Sequence, residues 1–98
     1  MALKVASDII GNTPLVSLKR LLGDSRSQLL AKLETINPTG SFKDRVVKYM
    51  LDCAEFRGEI VLGDTIIGAT SGNMGIALAM TCIRRGYQVI LVIPPGIP

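Results

Sequence analysis

Thr65-Ile66-Ile67-Gly68-Ala69-Thr70-Ser71-Gly72-Asn73-Met74-Gly75 carries the chain from a β-branched run, through a polar turn broken by glycines, into a helical pattern. Thr65-Ile66-Ile67 reads as a strand that ends at Gly68-Ala69. The following Ile76-Ala77-Leu78-Ala79-Met80-Thr81-Cys82-Ile83 is apolar on nearly every side of a helix, and Arg84-Arg85-Gly86 closes it with two cations and a glycine. A helix apolar all round is expected to be buried. Val89-Ile90-Leu91-Val92-Ile93 then forms an unbroken apolar run, the pattern of a central strand covered on both faces. Together these segments predict one β-α-β unit with a right-handed crossover. The expected class is α/β, an open, mostly parallel sheet with flanking helices.

In such a sheet, ligands sit outside the carboxyl ends of the strands, and the turn from Thr70 to Gly75 lies there. Glycines let the backbone approach a ligand closely, while free N–H groups and the helix dipole favour an anion. Thr70, Ser71 and Asn73 add side-chain donors. The turn resembles a carboxylate or phosphate cradle, although neither G-x-G-x-x-G nor the Walker pattern is present. Taken alone, it also reads as an ordinary helix cap.

Upstream, Asn37-Pro38-Thr39-Gly40-Ser41-Phe42-Lys43-Asp44-Arg45 places a lysine in the first turn of a second predicted helix, over residues 42–57. Pro38 and Gly40 break the preceding segment. Ser41 is the expected N-cap, with Asp44 completing a short capping box. Val46, Val47, Met50 and Ala54 recur at helical spacing, and Gly58 supplies the stop. Lys43 then falls at the second helical position, where the dipole disfavours an ammonium by some tenths of a kcal/mol. An amine that sheds its proton easily is a nucleophile and forms Schiff bases with aldehydes, pyridoxal phosphate among them. A solvated lysine that tolerates the dipole is the other reading of this stretch.

Residues 1–14 form a mixed lead-in ending in the turn formers Ile10-Gly11-Asn12-Thr13-Pro14. Residues 15–18 read as a short edge strand and residues 28–34 as a second strand, with a polar loop at 23–27; the two strands are expected to pair. At 98 residues and 48% hydrophobic content, the chain is more apolar than a free-standing domain of its size, so some of its surface is expected to face protein outside it. Basic residues number 11 and acidic residues 8, interleaved and without Trp, which does not make a nucleic-acid surface. Cys53 and Cys82 sit in apolar helical patterns and are expected to pack as free thiols in a reducing compartment. The absence of His excludes Ser/His or Cys/His machinery and His-based metal sites within these residues, and no metal is expected. No signal pattern or span-length apolar run occurs, so a cytoplasmic protein without a membrane partner is the expectation. The end at Pro94-Pro95-Gly96-Ile97-Pro98, directly after a buried-type strand, reads as that of a fragment or truncated product.

In their order and spacing, Ile10-Gly11-Asn12-Thr13-Pro14-Leu15, the Lys43 stretch and Thr70-Ser71-Gly72-Asn73-x-Gly75 resemble the N-terminal portion of the cysteine synthase (O-acetylserine sulfhydrylase) family. Cystathionine β-synthase and other fold-type II pyridoxal phosphate enzymes are its relatives, and the resemblance covers nearly the whole chain. It implies a partial three-layer αβα fold, with residues 1–41 as lead-in strands and turn, and residues 42–98 as the helix plus the βαβ unit. By the same resemblance, Lys43 binds pyridoxal 5'-phosphate as a Schiff base and moves the substrate's α-proton. Asn73 bonds the cofactor's ring hydroxyl, and Thr70, Ser71, Gly72, Asn73 and the backbone at Met74 close on the substrate's α-carboxylate.

The implied reaction is a β-replacement: O-acetylserine loses its β-leaving group and sulfide adds, giving cysteine, with the cofactor as electron sink. A small amino-acid substrate and a homodimer are implied as partners. Another donor or nucleophile, such as phosphoserine in a diaminopropionate-type synthase, and a non-catalytic remnant or binding module are the alternatives. Three positions depart from the family's habit: Met74 replaces a second threonine, Gly68 stands where glutamate is common, and Phe42 where a smaller aliphatic residue is usual. The loop for the cofactor phosphate and the residue facing the pyridine nitrogen belong to the family's C-terminal part, outside these residues. The 98 residues alone are therefore expected to bind the cofactor poorly and to be inactive.

Overall fold

In the computed structural model, which describes residues 3–97, alternating side chains place the chain's β-branched runs side by side. Met1, Ala2 and Pro98, at the ends of the lead-in and the tail, lie outside the described residues. Strands β3 (Thr65–Ala69) and β4 (Gln88–Val92) pair in parallel, with Ile66 opposite Val89 and Gly68 opposite Leu91. Helix α2 (Asn73–Arg85) makes the crossover and ends at Gly86, whose φ of +84° lies in the left-handed region that glycine tolerates without cost.

Ile66, Val89 and Leu91 pack against a core of Val47, Leu51, Ala77, Leu78, Cys82 and Tyr87. Gly68 belongs to the same face: a Cβ there would lie 2.5 Å from Leu78 Cδ1, so its lack of a side chain lets α2 close on the strand. The other face is bare, with Ile67, Ile90 and Val92 exposed by 67%, 52% and 55%. The run expected to be covered on both faces is thus covered on one among the described residues. On α2, expected to be buried all round, Ile76 and Ile83 are likewise exposed. The physical reason is that both helices pack on the same side of the strand pair. The α/β class holds, and the apolar pattern records more cover than the described residues provide.

Helix α1 (Lys43–Phe56) delivers Val47 and Leu51 to the core. Val47 shares a cleft with Met74 at the start of α2, while Arg85 at the end of α2 reaches Asp52 (2.6 Å) and Glu55 (3.0 Å) near the end of α1. The two helices therefore run parallel. Because α2 runs back against its strands, both helix N-termini stand at the rim where β3 and β4 end.

In the lead-in, β1 (Leu15–Ser17) and β2 (Leu30–Lys32) pair as expected; they run antiparallel, with Val16 opposite Ala31, in a sheet separate from β3 and β4. The second strand is shorter than residues 28–34 because a 3-10 turn, Glu34–Ile36, takes over its end. The radius of gyration is 17.0 Å, against about 13 Å for a compact domain of this length. The small sheet extends from the body as an arm. No helix among the described residues is long and apolar enough to cross a membrane.

Candidate active site

Lys43 is the first residue of α1, not the second helical residue, and the expected capping box is not formed. Phe42 occupies the N-cap position with helical backbone and makes no side-chain cap, while Ser41 Oγ accepts the Lys43 N–H at 3.2 Å. Asp44 is fully buried, and its carboxylate accepts the Thr39 N–H at 2.8 Å and the Thr39 hydroxyl. Gly40, at φ +88°, folds Thr39 back over the first turn of α1, so that Asp44 meets two donors on one residue. Lys43 Nζ stands 4.7 Å from the centroid of the Phe42 ring, a cation–π contact. Among the described residues no carboxylate pairs with it.

A second set of side chains grips the turn that leads to Lys43. Asn37, nearly fully buried, donates to Glu34 Oε2 (2.9 Å) and the Ser41 carbonyl (3.0 Å), and its Oδ1 accepts the Gly11 N–H (2.9 Å). Arg45 donates to Glu34 Oε1 (2.5 Å) and Thr13 Oγ1 (3.0 Å). Desolvation works to raise the Glu34 carboxyl, but its hydrogen bonds to Arg45, Thr13 and Asn37 outweigh it and hold the group below the ordinary glutamate range. The residues around Lys43 thus support its backbone from both sides. Sequence reasoning missed this clasp because its members are up to 32 residues apart; the only local signal was the turn cluster containing Gly11 and Thr13.

At the start of α2, Thr70 Oγ1 accepts the N–H groups of Gly72 (3.2 Å) and Gly75 (3.0 Å), and the Thr70 N–H continues the strand ladder to the Val92 carbonyl (3.0 Å). Thr70 is therefore the brace of the turn, with its hydroxyl proton still free to donate. The N–H groups of Asn73 and Met74 are first-turn donors, which have no intrahelical acceptor, at the positive end of the helix. Ser71, Gly72 and Asn73 are exposed. Met74 is different: its side chain packs against the core and lines a cleft with Val47 and Leu78.

Thr70 and Ser71 line an open crevice of about 560 Å³ with Val92, Ile93, Pro94 and Pro95 at the strand ends. Together with Gly72, they line a second of about 400 Å³ against Gly75, Ile76 and Leu91. Lys43 lines neither. It shares the rim with them through α1, one helical turn before Val47, which meets Met74 and Ala69 in the cleft between the helices. The rim combines an amine that no carboxylate pairs among the described residues with a set of anion donors, an arrangement able to hold a carbonyl compound and to bind a carboxylate.

Cysteine synthase B of Pseudomonas aeruginosa is 56% identical to this chain over 88 residues, which are 90% of the chain and 29% of that relative. Cysteine synthase B of Escherichia coli is 54% identical over 85 residues, 87% of the chain and 28% of the relative. Cysteine synthase of Staphylococcus aureus is 44% identical over 88 residues, again 90% and 28%. The chain spans less than a third of the length of these relatives. A family model described as pyridoxal-phosphate dependent enzyme matches residues 6–98, and the chain belongs to that family.

Proposed function

We propose that this chain is the N-terminal portion of a pyridoxal-phosphate-dependent β-replacement enzyme that converts O-acetylserine and sulfide to cysteine. The observation that carries the reading is the shared rim: Lys43 opens α1 with no carboxylate paired to it among the described residues, and the donor-bearing start of α2 stands at the same end of the strands. The donor set fits the cofactor, since an amine suits its aldehyde and the exposed side chain of Asn73 suits its ring hydroxyl. When bound, the cofactor supplies the electron sink for the amino-acid carbons. Lys43 holds it and carries the substrate's α-proton as base and then acid. Ser71, Asn73 and Met74 offer backbone N–H groups, and Thr70 and Ser71 hydroxyls, to the α-carboxylate at the positive end of α2, while Gly72, whose N–H is held by Thr70, leaves room for it to approach. The Asn37, Asp44 and Arg45 bonds keep Lys43 in place.

In this reading residues 1–41 lead up to the lysine and residues 42–98 form the helix and the βαβ unit, while the cofactor phosphate is held by residues outside this chain. The full-length protein, meaning this chain continued to the length of its relatives, is a homodimer in the cytoplasm. The free thiols of Cys53 and Cys82 suit that compartment.

The test is spectroscopic and chemical. Full-length protein mixed with pyridoxal phosphate is expected to develop a visible absorption band that Lys43→Ala abolishes; an unchanged band in the variant removes Lys43 from its role. Cysteine is expected from O-acetylserine and sulfide, and turnover of O-phosphoserine alone would change the donor.

A further inference from the structure

Four residues open α2, and they differ in what they hold. Asn73 is exposed, Gly75 has no side chain, and Ile76 is 54% exposed. Before them, Gly72 has nothing within 4 Å of where a Cβ would stand. Met74 is the one side chain of this turn that packs into the shared core, in a cleft of about 230 Å³ bounded by Val47, Leu51, Ile66, Ala69 and Leu78. Val47, fully buried, is four residues after Lys43, so the two side chains lie one above the other on the same face of α1. The cleft that Val47 and Met74 both line therefore lies between the face of α1 that carries Lys43 and the turn of α2 that carries the N–H donors.

Resting on the functional reading above, we propose that Met74 is a positioning residue whose side chain sets the separation between the carboxylate-binding turn of α2 and the lysine-bearing turn of α1. Its unbranched thioether lines the cleft and packs against the core, and such a side chain adapts to an irregular wall. Without it, the first turn of α2 is held to the body chiefly by the hydrogen bonds of Thr70. The carboxylate and the α-carbon of a substrate are a fixed distance apart. A turn free to drift relative to Lys43 thus binds substrate less well before it affects the lysine itself.

The experiment compares Met74→Ala and Met74→Leu in the full-length protein. In Met74→Ala the KM for O-acetylserine is expected to rise about tenfold with kcat within about twofold, because the loss falls on substrate placement. The visible band without substrate stays as in the unaltered protein. In the cofactor-free protein, amide hydrogen exchange at Gly75 and Ile76 is expected to quicken about 30-fold, the lower end of large-to-small losses if confined to that turn. Exchange at residues 81–85 does not change. Met74→Leu restores both readouts.

An unchanged KM in Met74→Ala, a Met74→Leu as impaired as Met74→Ala, or acceleration spread evenly along α2 overturns the inference. If Met74→Ala does not fold, the same readouts on Met74→Val decide. Absent turnover in the unaltered protein removes the functional reading instead, and the exchange pattern then decides the packing claim by itself.

Discussion

Replacing Gly75 by alanine tests the construction of the α2 turn directly. A Cβ at this buried position would stand 2.7 Å from Thr70 Cγ2 and 3.4 Å from Leu91 Cδ1, so Thr70 has to move. Its hydroxyl then leaves the N–H groups of Gly72 and Gly75, which it accepts at 3.2 and 3.0 Å. Two lost hydrogen bonds cost about 2 kcal/mol, and crowding of the packed site adds about 1 kcal/mol. Alanine returns about 1 kcal/mol through its better helix propensity, which leaves a net loss of about 2 kcal/mol. Urea unfolding of the full-length protein measures it, with amide exchange at Gly72 reporting where it falls. Adding Thr70→Ser removes the obstructing methyl and keeps the oxygen, so the double variant is expected to recover most of the loss. A double variant as unstable as Gly75→Ala alone would show that the Thr70 methyl is not the obstacle and that the brace is misassigned.

Three further outcomes follow from the same geometry. Asp44→Asn leaves Thr39 with a single neutral acceptor in a fully buried place and is expected to cost about 2 kcal/mol in urea unfolding; a smaller penalty when Thr39→Ala is already present marks the two as partners. Glu34 has a lowered pKa, so its contribution is complete above the unfolded value of about 4.3 and is lost as pH falls through the lower folded value. Between about pH 5 and pH 3 the stability of the unaltered protein therefore falls more steeply than that of Glu34→Gln, and parallel curves would refute the clasp. Under native conditions iodoacetamide is expected to label Cys53 before Cys82, whose thiol is pushed up by burial and is fully enclosed; mass spectrometry of the digest reads the order.

The β-α-β unit was legible because its signals are local: β-branched runs at both strands, glycines at the turn, and cations with Gly86 at the helix end. Lys43 and the Thr70 turn were likewise visible as short motifs. Asp44 was misread because spacing alone cannot tell a carboxylate that caps Ser41 from one that Thr39 captures, and that choice depends on how Gly40 folds the chain. The Arg45, Glu34 and Asn37 clasp was invisible, since its partners meet only after the lead-in returns to α1. Ile90, Val92 and Ile83 were read as buried and are exposed among the described residues, because an apolar pattern records residue type and not which faces the neighbouring elements cover.

The parallel course of α1 and α2 has an electrostatic consequence. Each helix carries about half a positive charge at its N-terminus; at α1 the Asp44 carboxylate in the first turn offsets it. At the far end, Arg84 and Arg85 lie in the last turn of α2 and offset its negative pole, but the first turn of α2 carries no acidic residue. An anion arriving at the rim meets the helix end, that of α2, that no acidic residue in its first turn offsets. Inorganic anions compete for that place, so substrate affinity is expected to weaken as salt rises, through displacement as well as screening. The ligand's charge thereby becomes part of the protein's own stability.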